Sequence, residues 1–474
     1  MANFKSPAAP AVRRLYFLCF FFGIGASVWG YHIGVLSSIL VHPGWQEMLN
    51  HPQAGTKGII TALQATSNGG SALVTMILGR MVSGVGVAIV STSVPLYQTE
   101  VSPAKQRGHF VTMNHVGFIA GLATGLWVGY FMTYWTSASG HYYGWRLSIC
   151  LELVPALTFA AGLPWIPETP RWLVDNGHLE RAKSTLRWLR EGMAPDAEVD
   201  AEFAAITRNV DAYYPTHTSW LALFREPALF ARLWRAAALQ FMATLCGATA
   251  MKYYLPTLLK ALGLETRVAL MAGAAEMTIK IGFTVLEMFL IDRFGRRMCL
   301  VAGCAVMAVA MMINGALPIA YPDNSSKAAD VICIIFIFVY ALGYSLGFGP
   351  ASWVYNTEIF PTSVRARGLN FAASGGSVGS IIVSHVWPVS RAALGSKVYF
   401  IFMVVNVLCI PIILIFYPET KGIALEDMDA LFGKVETAQG VDGGHQGPED
   451  TERLLAPQSP GDAEEPYHDA STRV

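Results

Sequence analysis

One phrase occurs twice in this sequence, first as Thr99-Glu100-Val101-Ser102-Pro103 and again as Thr357-Glu358-Ile359-Phe360-Pro361. Each copy is followed by an Arg-Gly pair, at Arg107-Gly108 and at Arg367-Gly368. A second phrase repeats downstream of each, as Pro167-Glu168-Thr169 and Pro418-Glu419-Thr420. Every copy follows an apolar run, so the repeats mark the same kind of membrane edge in two related halves. Two related membrane halves indicate a transporter, because such repeats place a substrate site at their interface.

The composition indicates a polytopic membrane protein. Hydrophobic residues make up 53% of the 474 residues and charged residues only 14%, with a mean hydropathy of +0.41. A soluble chain would carry about 25% charged residues. Six stretches approach the roughly 20 apolar residues that a spanning helix needs: Leu15–Leu40, Phe110–Trp135, Leu147–Ile166, Met298–Tyr321, Val331–Val354 and Val398–Tyr417. We therefore predict an all-α fold that has the lipid bilayer as a partner.

Several functional classes are not favoured by the sequence. The formal net charge is zero, which gives no bulk argument for nucleic-acid binding. The seven cysteines lie in apolar runs without a CxxC pair, a pattern typical of packed thiols rather than of metal ligands or disulfides. The chain contains neither a P-loop nor an HExxH motif. We expect no enzymatic activity, no metal and no cofactor.

The Lys and Arg residues fall mainly in one set of loops, which places both termini and the central segment in the cytoplasm. We expect a plasma-membrane protein with five regions. These are a cytoplasmic N-terminus (1–14), a shortened helical half (15–166), a linker (167–231), a six-span half (232–417) and a C-terminal region (418–474). In the linker, Leu179–Arg190 has the pattern of an amphipathic helix lying at the membrane surface. The tail beyond Lys434 has a composition typical of disorder.

The two halves differ in length. The second half carries the cationic loop Asp292–Arg297 ahead of Glu358. The residue that precedes Glu100 by as many positions as Asp292 precedes Glu358 is Gly34. Gly34 lies inside the first span, so the first half lacks this cationic loop. If residues 58–97 form one broken membrane passage, the chain has ten spans and the Lys and Arg residues remain mainly in the cytoplasmic loops. A hairpin in that region would move Glu100 outside, so we favour ten spans.

Together these motifs resemble the sugar porters of the major facilitator superfamily, in their fungal form. The matching phrases are Gly30-Tyr31, Leu78-Gly79-Arg80, Pro95–Glu100, Pro167–Arg171, Tyr253–Pro256, Asp292–Arg297, Gly349-Pro350 with Trp353, and Pro418–Gly422. The resemblance covers residues 15 to 432. It implies the major facilitator fold, twelve spans, alternating access and sugar uptake with or without a proton. Against that pattern, this chain lacks the end of the second span, the following loop and the third span.

The resemblance also implies a substrate site. Where the family has sugar-binding Gln and Asn side chains, this sequence has His115, Thr244, Thr249 and Lys280. Gln240 lies one turn from the altered Gln positions and compensates for part of that loss. The expected substrate-binding residues are Tyr31, His32, His115, Gln240, Thr244, Thr249, Tyr253, Lys280 and Trp353. Trp353 would stack on a sugar ring beside a helix broken at Gly349-Pro350.

Two positions leave the transport chemistry open. Lys280 at a membrane-embedded binding position suggests an anionic substrate such as a sugar acid. Alternatively, Lys280 extends its ammonium group toward water or is neutralised by Glu276, one turn away. His32 occupies the position of the Asp that proton-coupled relatives place near Arg80. Proton symport and facilitated diffusion therefore remain alternatives.

A second set of charges is expected to gate the transporter. In the family, charges at the cytoplasmic helix ends form ion pairs that hold the outward-open state. The corresponding residues here are Arg80, Glu100, Arg107, Glu168, Arg171, Arg293, Arg296, Arg297, Glu358, Arg365 and Arg367. The alternative is an orientation signal alone.

The sequence thus predicts a transporter of a hexose, polyol or sugar acid. One alternative is a sugar receptor that does not transport, which the altered sugar contacts favour. Another is a truncated, inactive gene product, or a gap in the gene model that hides an ordinary twelve-span porter.

Overall fold

The computed structural model describes residues 10–42, 70–103, 106–213, 220–322, 325–423 and 428–432. The side chains of residues 70–81, including that of Arg80, lie outside this description. Also outside it are the tail beyond Lys434 and the first part of the 58–97 passage. Within the described residues every regular element is a helix, which confirms the predicted all-α class.

The described residues of the first half form four long helical passages. The last passage consists of two helices that meet at Leu151-Glu152. The helices are α1 Pro10–Ile39, α2 Gly70–Val101, α3 Arg107–Met132, α4 Ala138–Cys150 and α5 Leu153–Gly162, with a short 3₁₀ turn at Leu163–Trp165.

A charged linker connects the halves. Its helices are α6 Pro170–Asp175, α7 Leu179–Arg190, α8 Asp196–Tyr213 and α9 Trp220–Arg225. The helix predicted at Leu179–Arg190 is therefore present. Its apolar face, with Ala182 and Leu186, packs against Leu173 of α6 and Val199 of α8. That face is covered by protein rather than lying on a membrane surface, which corrects the sequence-based expectation.

The second half contains six helical passages among the described residues. Two of them are broken into a pair of helices each. The helices are α10 Pro227–Leu245, α11 Ala248–Ala261, α12 Thr266–Phe294, α13 Arg296–Ala320, α14 Lys327–Ser345, α15 Pro350–Glu358, α16 Thr362–Leu394 and α17 Val398–Phe416, followed by the short α18 Asp429–Phe432.

Membrane-spanning character follows from length and composition. Six helical stretches among the described residues are long and apolar enough to cross a bilayer. They are Pro10–Ile39, Arg107–Met132, Ala138–Trp165, Arg296–Ala320, Lys327–Glu358 and Val364–Phe416, the last joining α16 and α17. Each overlaps one of the six apolar stretches identified in the sequence. Their outer faces carry exposed apolar side chains such as Phe20, Leu157 and Ile415, which suits contact with lipid.

Small residues let the helices approach closely. A Cβ added at Gly30 of α1 would overlap the carbonyl oxygen of Phe118 in α3, and one at Gly121 would overlap that of Ser27. The α1–α3 contact is the most extensive in the first half, because glycines on both helices remove the side chains that would separate them. A Cβ at Gly375 would likewise lie 2.5 Å from the carbonyl oxygen of Ala237, joining α16 to α10.

Two passages of the second half are interrupted by short irregular segments that are mostly buried. Between α14 and α15 the chain unwinds at 346–349, as the Gly349-Pro350 phrase predicted. Between α10 and α11 the break lies at Cys246 and Gly247, where Gly247 adopts φ +107°. The Asn406 amide donates to the free carbonyl of Cys246 at 2.9 Å. Irregular backbone in such buried segments is stable because neighbouring side chains satisfy its polar groups.

Candidate functional site

A cavity of about 530 Å³ lies between the two halves. The first half contributes α1, α2 and α3, and the second half contributes α10, α11, α14, α15 and α16. Its lining is Trp29, Ile33, Gly84, Val87, Ala88, Ser91, Thr92, His115, Phe118, Gln240, Ala243, Thr244, Lys252, Tyr253, Tyr344, Trp353, Asn370, Ala373, Ser374, Gly376, Ser377, Ser380, Ile381 and Ser384. Five of the nine predicted binding residues belong to this lining: His115, Gln240, Thr244, Tyr253 and Trp353.

Two of these residues present free hydrogen-bonding atoms to the cavity. His115 is 4% exposed and Gln240 is 5% exposed. Neither His115 Nε2 nor Gln240 Nε2 has a hydrogen-bond partner among the described residues. Buried polar atoms are normally paired, since an unpaired one costs about 1–3 kcal/mol. These atoms are therefore positioned to bond a polar ligand or water.

Aromatic rings from both halves form part of the cavity wall. The rings of Trp29 and Trp353 meet edge to face, with centroids 6.0 Å apart. Trp29 also lies 4.4 Å from Phe118, centroid to centroid. Apolar ring faces beside free polar atoms are the combination that sugar-like ligands require, because their C–H faces are apolar and their edges carry hydroxyls.

Two lysines contact a single tyrosine ring at this cavity. Lys252 Nζ lies 5.6 Å from the centroid of Tyr344, and Lys280 Nζ lies 4.8 Å from the same centroid. Lys280 is buried and stands next to the lining rather than in it, whereas Lys252 belongs to the lining. Neither ammonium group forms a hydrogen bond or an ion pair with any described residue, although the charges of Lys280 and Glu276 interact. The sequence analysis singled out Lys280 as a membrane-embedded cation, but it did not indicate Tyr344.

Three of the predicted binding residues, including the cavity-lining Thr244, form hydrogen bonds within the protein. Thr244 Oγ1 donates to the carbonyl oxygen of Phe241 at 2.8 Å. The Thr249 hydroxyl lies 3.3 Å from that of Ser380 and is fully buried outside the lining. Tyr31 donates to the carbonyl oxygen of Ser148 at 2.8 Å.

His32 faces the junction of α4 and α5 instead of the cavity. Its Nδ1 lies 3.0 Å from one carboxylate oxygen of Glu152 and 3.2 Å from the other. Glu152 did not figure among the predicted site residues. The available signal was its position as an acidic residue inside the apolar stretch Leu147–Ile166, where an ionisable group usually has a partner.

A buried ion pair lies at one end of the second half. Arg296 donates to the Glu358 carboxylate through Nε at 3.1 Å and through Nη2 at 2.8 Å, and each residue is 1% exposed. The same guanidinium lies 2.9 Å from Asp292. Thr420 donates its hydroxyl to Glu358 at 2.7 Å. The two phrases that repeat in the sequence therefore meet in space.

Glu419 holds the start of α13. Its two carboxylate oxygens accept the backbone N–H groups of Arg296 and Arg297, each at 2.9 Å. A carboxylate at a helix N-terminus satisfies free N–H groups and interacts favourably with the helix dipole. Glu419 thereby fixes the backbone that positions Arg296.

The first half has a related but incomplete arrangement. Thr169 donates to the Glu100 carboxylate at 2.6 Å, matching the bond from Thr420 to Glu358. Arg171 donates to the backbone carbonyl of Glu100 at 3.2 Å. The Glu100 carboxylate itself is approached by Arg365 of the second half, at 3.6 Å. No described loop of the first half supplies the two-pronged arginine that Glu358 receives.

The other predicted gating residues occupy varied positions. Arg107 donates to the carbonyl oxygen of Ile423 at 3.4 Å and so joins the first half to the C-terminal region. Arg297 donates to the carbonyl oxygen of Leu414. Arg293 and Glu168 are exposed, and Arg367 is half-buried. Among the described residues no group of three or more His, Cys, Asp or Glu side chains could hold a metal ion.

Comparison with known proteins identifies the family. The family model described as sugar (and other) transporter matches residues 58–432, so this chain belongs to that family. The resemblance found in the sequence is thereby confirmed. Members of this family are transporters, and the chain is an integral membrane protein rather than an enzyme.

Individual relatives and structures agree with this assignment. Sugar transport protein MST3 of Oryza sativa subsp. japonica is 29% identical over 378 residues, which cover 78% of this chain and 71% of the relative. A probable quinate permease of Aspergillus niger is 29% identical over 384 residues, which cover 78% of this chain and 70% of that relative. The structure of the proton:xylose symporter XylE bound to 6-bromo-6-deoxy-D-glucose matches with a TM-score of 0.72 at 23% identity, covering 88% of this chain and 99% of that chain. This likeness confirms the major facilitator fold.

Proposed function

We propose that this chain carries a polyhydroxylated small molecule (a hexose, a polyol or a sugar acid) across the plasma membrane by alternating access, with both termini in the cytoplasm. The observation that carries the proposal is the cavity between the halves, where the Nε2 atoms of His115 and Gln240 are buried and unpaired. A hydroxylated ligand would supply the missing partners. The names of the relatives, a sugar transport protein and a probable quinate permease, support this substrate range.

Binding would use groups of different kinds on opposite walls of the cavity. His115 in α3 and Gln240 in α10 would bond hydroxyls, with the Tyr253 hydroxyl close by in α11. Trp353 would stack on the ring of the ligand. Tyr31, His32 and Thr249 are engaged elsewhere in the protein, so their part would be to fix the helices. Each hydrogen bond to a neutral hydroxyl contributes about 0.5–1.5 kcal/mol, so several are needed for selective binding.

Alternating access requires an element with two states, and the cytoplasmic charges fit that requirement. Contacts between the halves at this end include Arg365 with Glu100 and the backbone N–H of His109 with Asp292, the latter at 2.8 Å. Opening the cytoplasmic side would break these contacts while leaving the Arg296–Glu358 pair within its own half. The cross-half contacts are therefore the proposed gate.

The shortened first half forms part of the proposal. No described residue of the first half gives Glu100 a two-pronged cation, and the loop that the sequence analysis finds missing from this half would supply one. We infer that this chain operates with ten spans and that Arg365 takes over part of that role. Sequencing the transcript across codons 60 to 85 tests this directly, because a longer product would replace the ten-span form with an ordinary twelve-span one.

The transport proposal is tested with purified chain in liposomes. Labelled glucose and labelled quinate are added outside, and entry is compared with that into protein-free liposomes. A carrier shows saturable entry that accelerates when the liposomes are preloaded with the same unlabelled compound. Binding without entry would overturn transport in favour of a receptor, and entry without acceleration would overturn alternating access. Repeating the assay with and without a pH gradient separates symport from facilitated diffusion.

A further inference from the structure

We infer that the substrate carries a carboxylate, held by Lys252 at the cavity wall, with Lys280 supplying a second positive charge behind Tyr344. This inference rests on the proposed function and narrows its substrate class to polyhydroxylated carboxylic acids. It depends on where two lysines lie and on the absence of a hydrogen bond or ion pair to either ammonium group among the described residues.

The geometry brings both ammonium groups to one ring. Lys252 Nζ lies 5.6 Å from the centroid of Tyr344 and 5.7 Å from that of Phe118, and all three residues line the cavity. Lys280 Nζ lies 4.8 Å from the Tyr344 centroid. His115, whose Nε2 is free, faces the same ring with centroids 6.2 Å apart. Every hydrogen-bonding atom in this cluster can therefore donate to an anion.

Charge compensation by the protein is incomplete. Glu276, one turn before Lys280 on α12, is the acidic residue placed to neutralise it. The two charges interact, but no ion pair joins them among the described residues, and Glu276 Oε2 has no hydrogen-bond partner there. Lys252 has no acidic residue in the cavity lining. A contact with an aromatic ring offsets only a small part of the cost of removing an ammonium group from water.

A bound carboxylate would relieve this imbalance. It would accept hydrogen bonds from Lys252 and His115 and would reduce the repulsion between the two lysines. Gln240 and Trp353 line the same cavity and would remain available for the hydroxylated ring of the substrate. A neutral sugar could accept a hydrogen bond from Lys252 but would bring no negative charge to either ammonium group, so the site should discriminate in favour of the acid.

Matched compounds test the inference on the full-length chain. The pairs are glucuronate with glucose, galacturonate with galactose, and quinate with its uncharged methyl ester. Affinity is measured from the change in tryptophan fluorescence, and entry is measured in liposomes. We expect at least one acid to bind about 10- to 100-fold more tightly than its neutral partner, as a charge-assisted hydrogen bond implies.

Three substitutions and one control variant locate the effect. Lys252→Met should abolish the preference for the acid while leaving affinity for the neutral partner within about 3-fold, and Lys252→Arg should restore part of the preference. Lys280→Met should reduce the preference less, because Lys280 lies outside the lining. Lys260→Met, an exposed position at the end of the same helix α11, serves as the control and should change nothing.

Thermal melting separates this role from a structural one. Replacing an uncompensated buried lysine by Met should raise the melting temperature of the Lys280→Met variant, whereas loss of a pair with Glu276 would lower it. The carboxylate site is overturned if only the neutral compounds enter the liposomes, or if Lys252→Met keeps an unchanged preference for the acid. Either result leaves the transport proposal standing. Absence of binding and entry for all six compounds overturns both proposals.

Discussion

The guanidinium of Arg365, in the second half, lies 3.6 Å from the carboxylate of Glu100, in the first half. The Arg365 side chain is fully buried, while the Glu100 side chain is 11% exposed. Glu358, the counterpart of Glu100, is paired within its own half by two hydrogen bonds from Arg296. The repeated Thr-Glu phrase therefore has two different uses: one copy stabilises its own half, and the other connects the halves.

This difference predicts what Glu100→Gln does. The amide keeps an acceptor for the Thr169 hydroxyl but loses the charge facing Arg365. We expect the free energy of unfolding to fall by about 1–3 kcal/mol, which would appear as a lower melting temperature in detergent. We also expect slower exchange of labelled for unlabelled substrate across the membrane of preloaded liposomes. Glu180→Gln, at an exposed position in α7, is the control. A variant with unchanged exchange would show that Glu100 takes no part in gating.

Glu358→Gln should be more damaging than Glu100→Gln. Arg296 and Glu358 are each 1% exposed, and removing the Glu358 charge leaves the buried guanidinium compensated by Asp292 alone among the described residues. The expected loss is about 3–5 kcal/mol. Arg296→Lys should fall in between, because an ammonium group keeps the charge without the two-pronged geometry. Melting curves of the four proteins, wild type included, provide the comparison, and equal losses at Glu100 and Glu358 would contradict it.

The sequence predicted the two halves because repeated phrases and long apolar runs are local signals. Glu100, Glu358 and Arg296 were identified on the same basis. Their hydroxyl partners Thr169 and Thr420 were visible only as members of a repeat, since threonine is common and nothing local marks it as a donor to a distant carboxylate. Glu152, which faces His32, was missed for a related reason, because the contact depends on how α1 packs against the α4–α5 junction.

Cavity membership was predicted only in part. His115, Gln240 and Trp353 line the cavity, but Tyr31 and His32 do not. Successive residues of a helix point in different directions around the helix axis. A shift of one residue in the helix register therefore decides whether a side chain enters the cavity or packs against a neighbouring helix. Tyr344 gave no signal at all, since a tyrosine in an apolar helix is ordinarily a packing residue.

Gln240→Leu should separate binding from folding. Gln240 Nε2 is buried without a partner, so a leucine of similar size removes an unsatisfied group rather than a bond. We expect an unchanged or higher melting temperature and an affinity for substrate that is about 3- to 10-fold weaker, the value of one hydrogen bond. Tryptophan fluorescence titration and thermal melting on the same preparation measure both. Undiminished affinity would remove Gln240 from the proposed site.

Close packing of α1 on α3 gives the last prediction. In Gly121→Ala, the new Cβ would overlap the backbone carbonyl of Ser27, and backbone cannot rotate away as a side chain can. The helices would have to separate, which should cost about 1–3 kcal/mol and lower the melting temperature. Gly86→Ala is the matched control, because a Cβ at this exposed position in α2 meets nothing within 4 Å. It should stabilise slightly, since alanine favours helix over glycine by about 1 kcal/mol. If both variants melted alike, close approach at the glycines of α3 would not be what holds α1 in place.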